Sequence, residues 1–117
     1  MATMTRRFTD AFDYARIAHA AQFRKGSHIP YLYHLLGVAS LVIEFGGNEN
    51  QAIAGLLHDV IEDCGEPHRA LIRAQFGDDV ARIVDQVGIV AEAAIHRIGA
   101  CATIEDVIAG QPTEDIV

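Results

Sequence analysis

Hydrophobic and polar residues alternate with a helical period along almost the whole chain. Thr9 or Asp10 can cap a first helix that runs to about Phe23, because apolar residues recur there every three or four positions. Residues 23–30 interrupt the period with glycine, serine and proline, which predicts a loop. A second helix is predicted over residues 32–45, where a pair of glycines ends it.

A third helix is predicted from Asn48 or Asn50, either of which can cap it, to Cys64, since Gly65 follows. Further helical segments are predicted in the second half, at residues 67–76, 78–87, 89–98 and 103–110, before a frayed tail at 111–117. The pattern contains no convincing strand or internal repeat. The sequence therefore predicts an all-α fold, a helical bundle in one domain of residues 1–117.

The third helix carries four ionisable residues within an apolar run. On a continuous helix His58 lies one turn before Glu62, and Asp59 one turn before Asp63. Burying such groups is costly unless something binds them, and a divalent metal ion is the simplest candidate. An imidazole beside a carboxylate suits manganese, iron or zinc.

Other histidines contribute less to this hypothesis. His34, on the second helix, can bring a second imidazole to the metal, although a lone helical histidine is more often structural. The remaining candidates are interpreted as ordinary surface histidines: His28, His68 and His96.

The overall charge narrows the possible partners. The formal net charge is -7 with histidine neutral, which argues against nucleic acid and against an anionic membrane surface. No apolar run reaches the ~18 residues of a membrane span. The two cysteines, Cys64 and Cys101, predict reduced thiols and a cytoplasmic location.

Several segments together match one known pattern in order: 19–25 (HAAQFRK), 30–34 (PYLYH), 56–63 (LLHDVIED), 76–80 (FGDDV) and 83–85 (IVD). The chain resembles the HD-domain metal-dependent phosphohydrolases, and more narrowly the hydrolase domain of Rel/SpoT proteins and the small alarmone hydrolases. The resemblance covers residues 8–85 and implies a helical bundle of the HD-domain type.

The resemblance also implies residue roles. His34, His58 and Asp59 are then metal ligands, usually of manganese, while Glu62 and Asp63 position or activate the attacking water. Metal-bound water has a lowered pKa, and a nearby carboxylate can take its proton.

The same resemblance implies a substrate-binding loop. Arg24 and Lys25 then contact the nucleotide, and Tyr31 and His19 shape the pocket. An arginine can stack on a base or bind a phosphate through two hydrogen bonds.

The resemblance stops after Asp85. The family's fourth metal ligand, an aspartate some sixty residues beyond the HD pair, has no counterpart here, so the domain is predicted to be shortened at its C-terminus. Residues 86–117 are interpreted as a divergent tail from a truncated or frame-shifted gene, or one that evolved separately. Asp85, Glu92, His96 or a residue of another subunit can substitute for the missing ligand.

The function predicted is hydrolysis of a phosphoanhydride or phosphodiester bond. The resemblance implies guanosine tetraphosphate or pentaphosphate, (p)ppGpp, cleaved at the 3′-pyrophosphate, although a more open pocket could accept simpler phosphodiesters. The alternatives are a catalytically degenerate HD domain that binds a nucleotide or a partner, and a structural, oligomer-forming remnant.

A homo-oligomer, a dimer or a tetramer, is also expected. Shortening would expose apolar residues of the third and fifth helices, namely Leu57, Ile61, Ile83, Val84 and Val87. Large exposed apolar patches normally mark an interface, and residues 86–117 are expected to pack against another subunit.

Overall fold

The computed structural model describes residues 3–91, with side chains up to residue 86. Its six helices are α1 Arg6–Ala18, α2 Leu32–Glu44, α3 Glu49–Leu57, α4 Val60–Cys64, α5 Pro67–Phe76 and α6 Asp78–Ala91. Within this range there is no strand, only an isolated antiparallel bridge between Phe23 and Pro30. The prediction of an all-α bundle is confirmed. The helices and tail predicted beyond residue 91 lie outside the described residues.

Helix α1 begins and ends earlier than predicted. Thr5 caps it, accepting a hydrogen bond from the Arg7 backbone N–H at 3.2 Å. The helix ends at Ala18, and the following segment turns back so that the Tyr31 N–H donates to the Gln22 carbonyl at 2.8 Å. The helical period of the sequence continues to Phe23, but these tertiary hydrogen bonds prevent the helix from following it.

The predicted third helix is divided into α3 and α4. Asn48, one of the two cap residues that the sequence left open, caps α3 and forms a reciprocal capping box with Gln51. The chain then turns at His58 and Asp59, where Asp59 has φ -99° and ψ -1°. The prediction of one continuous helix was wrong at these two residues, and they occupy the junction between two helices.

Helix α3 forms the centre of the fold, with α1, α2 and α6 packed around it. All its residues from Ala52 to Leu57 are buried. Each buried Leu or Ile contributes about 1.5–3 kcal/mol of stability. A Cβ added to Gly55 would lie 3.4 Å from Ala39 Cα, so the glycine permits close contact between α2 and α3.

Several polar contacts connect the ends of the helices. Thr5 Oγ1 donates to Glu49 Oε2 over 2.8 Å, joining the starts of α1 and α3. Arg7 Nη2 donates to the Phe76 carbonyl over 2.7 Å, which ties α1 to the end of α5. These contacts help to fix the relative positions of α1, α3 and α5 in the bundle that carries the site.

The apolar surface differs from the one predicted. Leu57 and Val84 are fully buried, so the expectation that they are partly exposed was wrong. Ile61 and Ile83 are partly buried and pack against the core. The exposed large apolar residues of α2 and its end are Tyr33, Leu36, Leu41, Ile43 and Phe45, here called the α2 face.

Two further predictions are corrected. His68 is not a surface residue, because its side chain is buried and its Nδ1 lies 2.7 Å from the Tyr14 hydroxyl. Cys64 is not a reduced thiol but is disulfide-bonded. The other cysteine, Cys101, lies outside the described residues. No helix of the described part is long and apolar enough to span a membrane.

Candidate metal and active site

Three potential ligands converge at the junction of α3 and α4. His34 comes from α2, and His58 and Asp59 come from the turn between the two helices. One ligand atom from each lies within 4.8 Å of the others. His58 Nε2 is 3.1 Å and His34 Nε2 is 3.5 Å from Asp59 Oδ2. The break in the helix thus brings adjacent side chains to one point.

The second nitrogen of His58 orients the ring. Its Nδ1 lies 2.7 Å from the Gly55 carbonyl oxygen. A carbonyl only accepts, so Nδ1 carries the hydrogen and, in the neutral ring, Nε2 keeps its lone pair. Metal-binding histidines commonly donate their other N–H to a backbone carbonyl in this way.

Asp59 is held as a carboxylate by its neighbours. The Tyr31 hydroxyl donates to Asp59 Oδ2 over 2.6 Å. Burial acts to raise the pKa of Asp59, but the hydrogen bonds and charges of His58, Tyr31 and His34 outweigh it and lower the pKa to about 2. Asp59 therefore carries a negative charge near neutral pH.

The two imidazoles respond differently to this carboxylate. Burial acts to lower the pKa of His58, but its hydrogen bond with Asp59 and the charge of Asp59 raise it overall. For His34, burial is the dominant cause and lowers the pKa, although the charge of Asp59 opposes the change.

The donor set fits a divalent transition metal. Two imidazole nitrogens and one carboxylate oxygen are ligands that manganese, iron and zinc accept. His58 Nε2 and His34 Nε2 both face the same oxygen of Asp59, and the Gly55 contact keeps the His58 Nε2 lone pair available. The residues present can therefore hold such an ion.

Glu62 and Asp63 follow on α4, outside the three-residue cluster. Asp63 is 4% exposed, and its Oδ2 accepts a hydrogen bond of 3.1 Å from Gln22 Nε2. Glu62 is partly buried. Both carboxylates belong to the helix that starts directly after Asp59.

The loop between α1 and α2 brings a cation next to the cluster. The Arg24 guanidinium carbon lies 5.8 Å from the centroid of the Tyr31 ring, within the range of a cation–π contact. Its positive charge also acts to lower the pKa of His34. Lys25 is exposed in the same loop, whereas Tyr31 is buried.

Of the residues proposed as substitutes for a fourth ligand, Asp85 is the one that the structure describes, and it does not join the cluster. Asp85 forms an ion pair with Arg69. Glu92 and His96 lie outside the described residues. Among described residues, the cluster consists of His34, His58 and Asp59.

The sequence that forms this site matches a known protein family. The family model of the HD domain matches residues 11–106, which is most of the chain. The chain belongs to the HD-domain family. The resemblance inferred from the sequence motifs is therefore confirmed, including the homology to Rel/SpoT hydrolase domains.

Curated relatives of this HD domain are much longer proteins. A probable GTP pyrophosphokinase of Mycobacterium leprae is 42% identical over 66% of the chain, which spans 10% of that relative. The guanosine-3′,5′-bis(diphosphate) 3′-pyrophosphohydrolase of Haemophilus influenzae is 42% identical over 62% of the chain, again spanning 10% of the relative. The chain thus spans about a tenth of the length of these proteins.

A solved structure shares the fold of this HD domain. It is described as a metazoan ortholog of SpoT that hydrolyses ppGpp and plays a role in starvation responses. The match has a TM-score of 0.66 and 28% identity, and covers 74% of this chain and 50% of the other.

Sequence reasoning missed one residue of the site in this HD domain. Gln22 was part of a matching segment, but nothing assigned it a contact with Asp63, 41 positions away. A glutamine three residues after a histidine gives no signal in the sequence of a contact with a distant carboxylate. Only the chain reversal after α1 brings the amide to the carboxylate.

Proposed function

We propose that this HD domain is a metal-dependent phosphohydrolase. The observation that carries the proposal is the convergence of His34, His58 and Asp59 within 4.8 Å, with the His58 ring oriented by Gly55. Relatives named as 3′-pyrophosphohydrolases of guanosine-3′,5′-bis(diphosphate) support a nucleotide substrate. We propose (p)ppGpp, cleaved at its 3′-pyrophosphate, as the first substrate to test, and simpler phosphodiesters as the second.

His34, His58 and Asp59 would hold the metal, with Mn²⁺ as the first candidate and iron or zinc as the others. When bound, the ion would lower the pKa of water and neutralise charge on the phosphate. Tyr31 keeps Asp59 oriented through its hydroxyl.

Two carboxylates are proposed to act on the water. Glu62 and Asp63 stand one turn after the cluster on α4, where they orient the attacking water and accept its proton. A positioned acid–base group typically contributes about 10²–10⁴-fold in rate.

Arg24 and Lys25 are proposed to bind the nucleotide. The Arg24 guanidinium already lies over an aromatic ring, a geometry in which it can also stack on a base or bind a phosphate. The net charge of the chain is -7, so these two cations offer a local attraction for an anionic substrate.

The test is a panel of alarmones, phosphodiesters and phosphomonoesters with added Mn²⁺, accompanied by metal analysis of the purified protein. Wild-type protein is expected to bind metal and hydrolyse an alarmone. Asp59→Ala is expected to lose both, because it removes the charged ligand, while His28→Ala in the exposed loop keeps both. Full metal occupancy in Asp59→Ala would contradict the proposed site.

The second candidate is a catalytically degenerate HD domain that acts as a nucleotide-binding or oligomer-forming module. Two observations favour it: the described residues supply only three clustered ligands, and the α2 face exposes large apolar side chains. A stable, metal-free protein that binds nucleotide without turnover would support this alternative.

A further inference from the structure

A line of partly buried polar contacts leads from the end of α1 to Asp63. His19 Nδ1 lies 2.7 Å from Gln22 Oε1, and Gln22 Nε2 donates to Asp63 Oδ2 over 3.1 Å. His19 is 2% and Asp63 is 4% exposed. Hydrogen bonds in such surroundings are stronger than in water and fix orientation more strictly.

The chemistry of the groups sets the direction of each bond. A carboxylate only accepts, so the amide nitrogen of Gln22 faces Asp63 and its oxygen faces His19. That oxygen also only accepts, so His19 Nδ1 must carry a hydrogen. Burial lowers the pKa of His19, against its hydrogen bond with Gln22 and the charges of Asp63 and Asp59, which favours a neutral ring with a bare Nε2.

His19 Nε2 itself contributes nothing to this choice of tautomer. The atom is buried, and it has no hydrogen-bond partner in the described part of the chain. A buried polar atom without a partner costs stability, so Nε2 does not favour either tautomer. The hydrogen bond between Nδ1 and Gln22 therefore decides which ring nitrogen carries the hydrogen.

His19 also supports the other side of the site. Its ring packs against Tyr31 with centroids 5.2 Å apart and planes inclined by 34°. Tyr31 in turn donates its hydroxyl to Asp59. One buried histidine therefore contacts two residues, Gln22 and Tyr31, that each hold a carboxylate of the site.

We propose that His19 and Gln22 are positioning residues for the hydrolytic reaction. Gln22 holds the Asp63 carboxylate in place, and His19, as the Nδ1–H tautomer, holds the Gln22 amide in the orientation that this requires. The proposal rests on the proposed function, in which Asp63 acts on the attacking water.

Gln22→Met tests the positioning role, because methionine keeps the length of the side chain and removes both hydrogen bonds. We expect kcat to fall at least about tenfold, the factor that corresponds to a lost hydrogen bond to a charged group. KM and the affinity for Mn²⁺ should stay unchanged. Gln75→Met, on the exposed side of α5, is the matched control. An unchanged kcat in Gln22→Met, or an equal fall in the control, would overturn the proposal.

His19 is tested by rescue. Asparagine can place an amide N–H where His19 Nδ1–H stands, whereas leucine cannot donate. His19→Asn is expected to retain most of the wild-type kcat and His19→Leu to lose it. If the two variants, both folded by circular dichroism, have the same kcat, then the hydrogen bond to Gln22 has no positioning role. If His19→Leu does not fold, His19→Asn is compared with Gln22→Met instead. A kcat of His19→Asn as low as that of Gln22→Met would then show that the hydrogen bond to Gln22 has no positioning role.

A measurement without turnover separates this inference from the proposed function. Long-range ¹H–¹⁵N NMR of the metal-free wild-type protein should show His19 as the Nδ1–H tautomer, and Gln22→Met should admit the Nε2–H form. An Nε2–H tautomer in the wild type overturns the inference whatever the activity. If the wild-type protein shows the Nδ1–H tautomer but hydrolyses no substrate, this result contradicts the proposed function and leaves the tautomer inference intact.

Discussion

At the scale of single residues, Asp59 Oδ2 is the atom around which the candidate site is arranged. His34 Nε2, His58 Nε2 and the Tyr31 hydroxyl all lie within 3.5 Å of it. Glu62 and Asp63 follow in the first turn of α4 and do not belong to the ligand cluster. This separation predicts that metal retention and chemistry can be lost independently.

Glu62→Gln tests that separation. The amide keeps the shape of the side chain but cannot accept a proton, so turnover is expected to fall by about 10²–10⁴-fold. Metal content is expected to remain, since Glu62 lies outside the ligand cluster. Steady-state assays at saturating Mn²⁺ measure the first quantity and elemental analysis the second. Unchanged turnover would assign Glu62 no part in the reaction.

The affinity for metal should depend on pH through His58. Its pKa is raised, since Asp59 outweighs the lowering effect of burial, and a protonated imidazole cannot bind a metal ion. Affinity for Mn²⁺ is therefore expected to increase as pH rises through this raised pKa and to weaken below it. Asp59, whose pKa is about 2, stays ionised over that range.

Calorimetric titration of Mn²⁺ at several pH values measures this dependence. The expected result includes proton release on binding below the pKa of His58. A constant affinity between acidic and alkaline buffers would mean that His58 is not a ligand.

At the scale of elements, the start of α3 stabilises the helix, whereas its end positions residues of the candidate site. The capping box of Asn48 and Gln51 begins the helix, and the turn at its end aligns His58 with Asp59. The apolar residues between them anchor the helix in the core. Stability can therefore be changed at the start of α3 without a direct change in the site.

Asn48→Ala is expected to destabilise the protein by about 0.5–2 kcal/mol, the usual cost of losing an N-cap. Metal affinity and turnover per folded molecule should not change. Chemical denaturation measures the loss, and Ser40→Ala, an exposed residue of α2, is the control. Reduced metal affinity at full folding would show that the cap also affects the His58–Asp59 turn.

At the scale of the whole molecule, the α2 face is an exposed apolar surface that the proposed site does not use. It exposes Leu41 at 54% and Phe45 at 82%. Apolar surface of this kind commonly marks an interface, and closed symmetric homo-oligomers are the common solution. The homo-oligomer predicted from the sequence is therefore retained, with the α2 face in place of α3 and α6 as the apolar surface.

Light scattering or sedimentation at micromolar concentration tests this prediction. Wild-type protein is expected to form a dimer or a tetramer, and Leu41→Lys combined with Phe45→Lys should shift it towards the monomer. Ala70→Lys, on exposed α5, should leave the oligomer intact. A monomeric wild-type protein with native metal content would refute the interface.

The helical bundle and most candidate ligands followed from the sequence alone. Helical periodicity, Asn48, Gly65 and Pro67 are local signals, and local signals decide where helices start and stop. His58 and Asp59 were recognisable because charged residues inside an apolar run are costly without a partner. These properties do not depend on distant contacts.

Tertiary structure decided the rest. The contact of Gln22 with Asp63 and the burial of His68 against Tyr14 both depend on residues far apart in the chain. A period of three to four residues cannot encode them, since a chain reversal after α1 and the packing of α5 bring the partners together. The sequence thus determined which residues could bind a metal, and packing determined which side chains hold them in place.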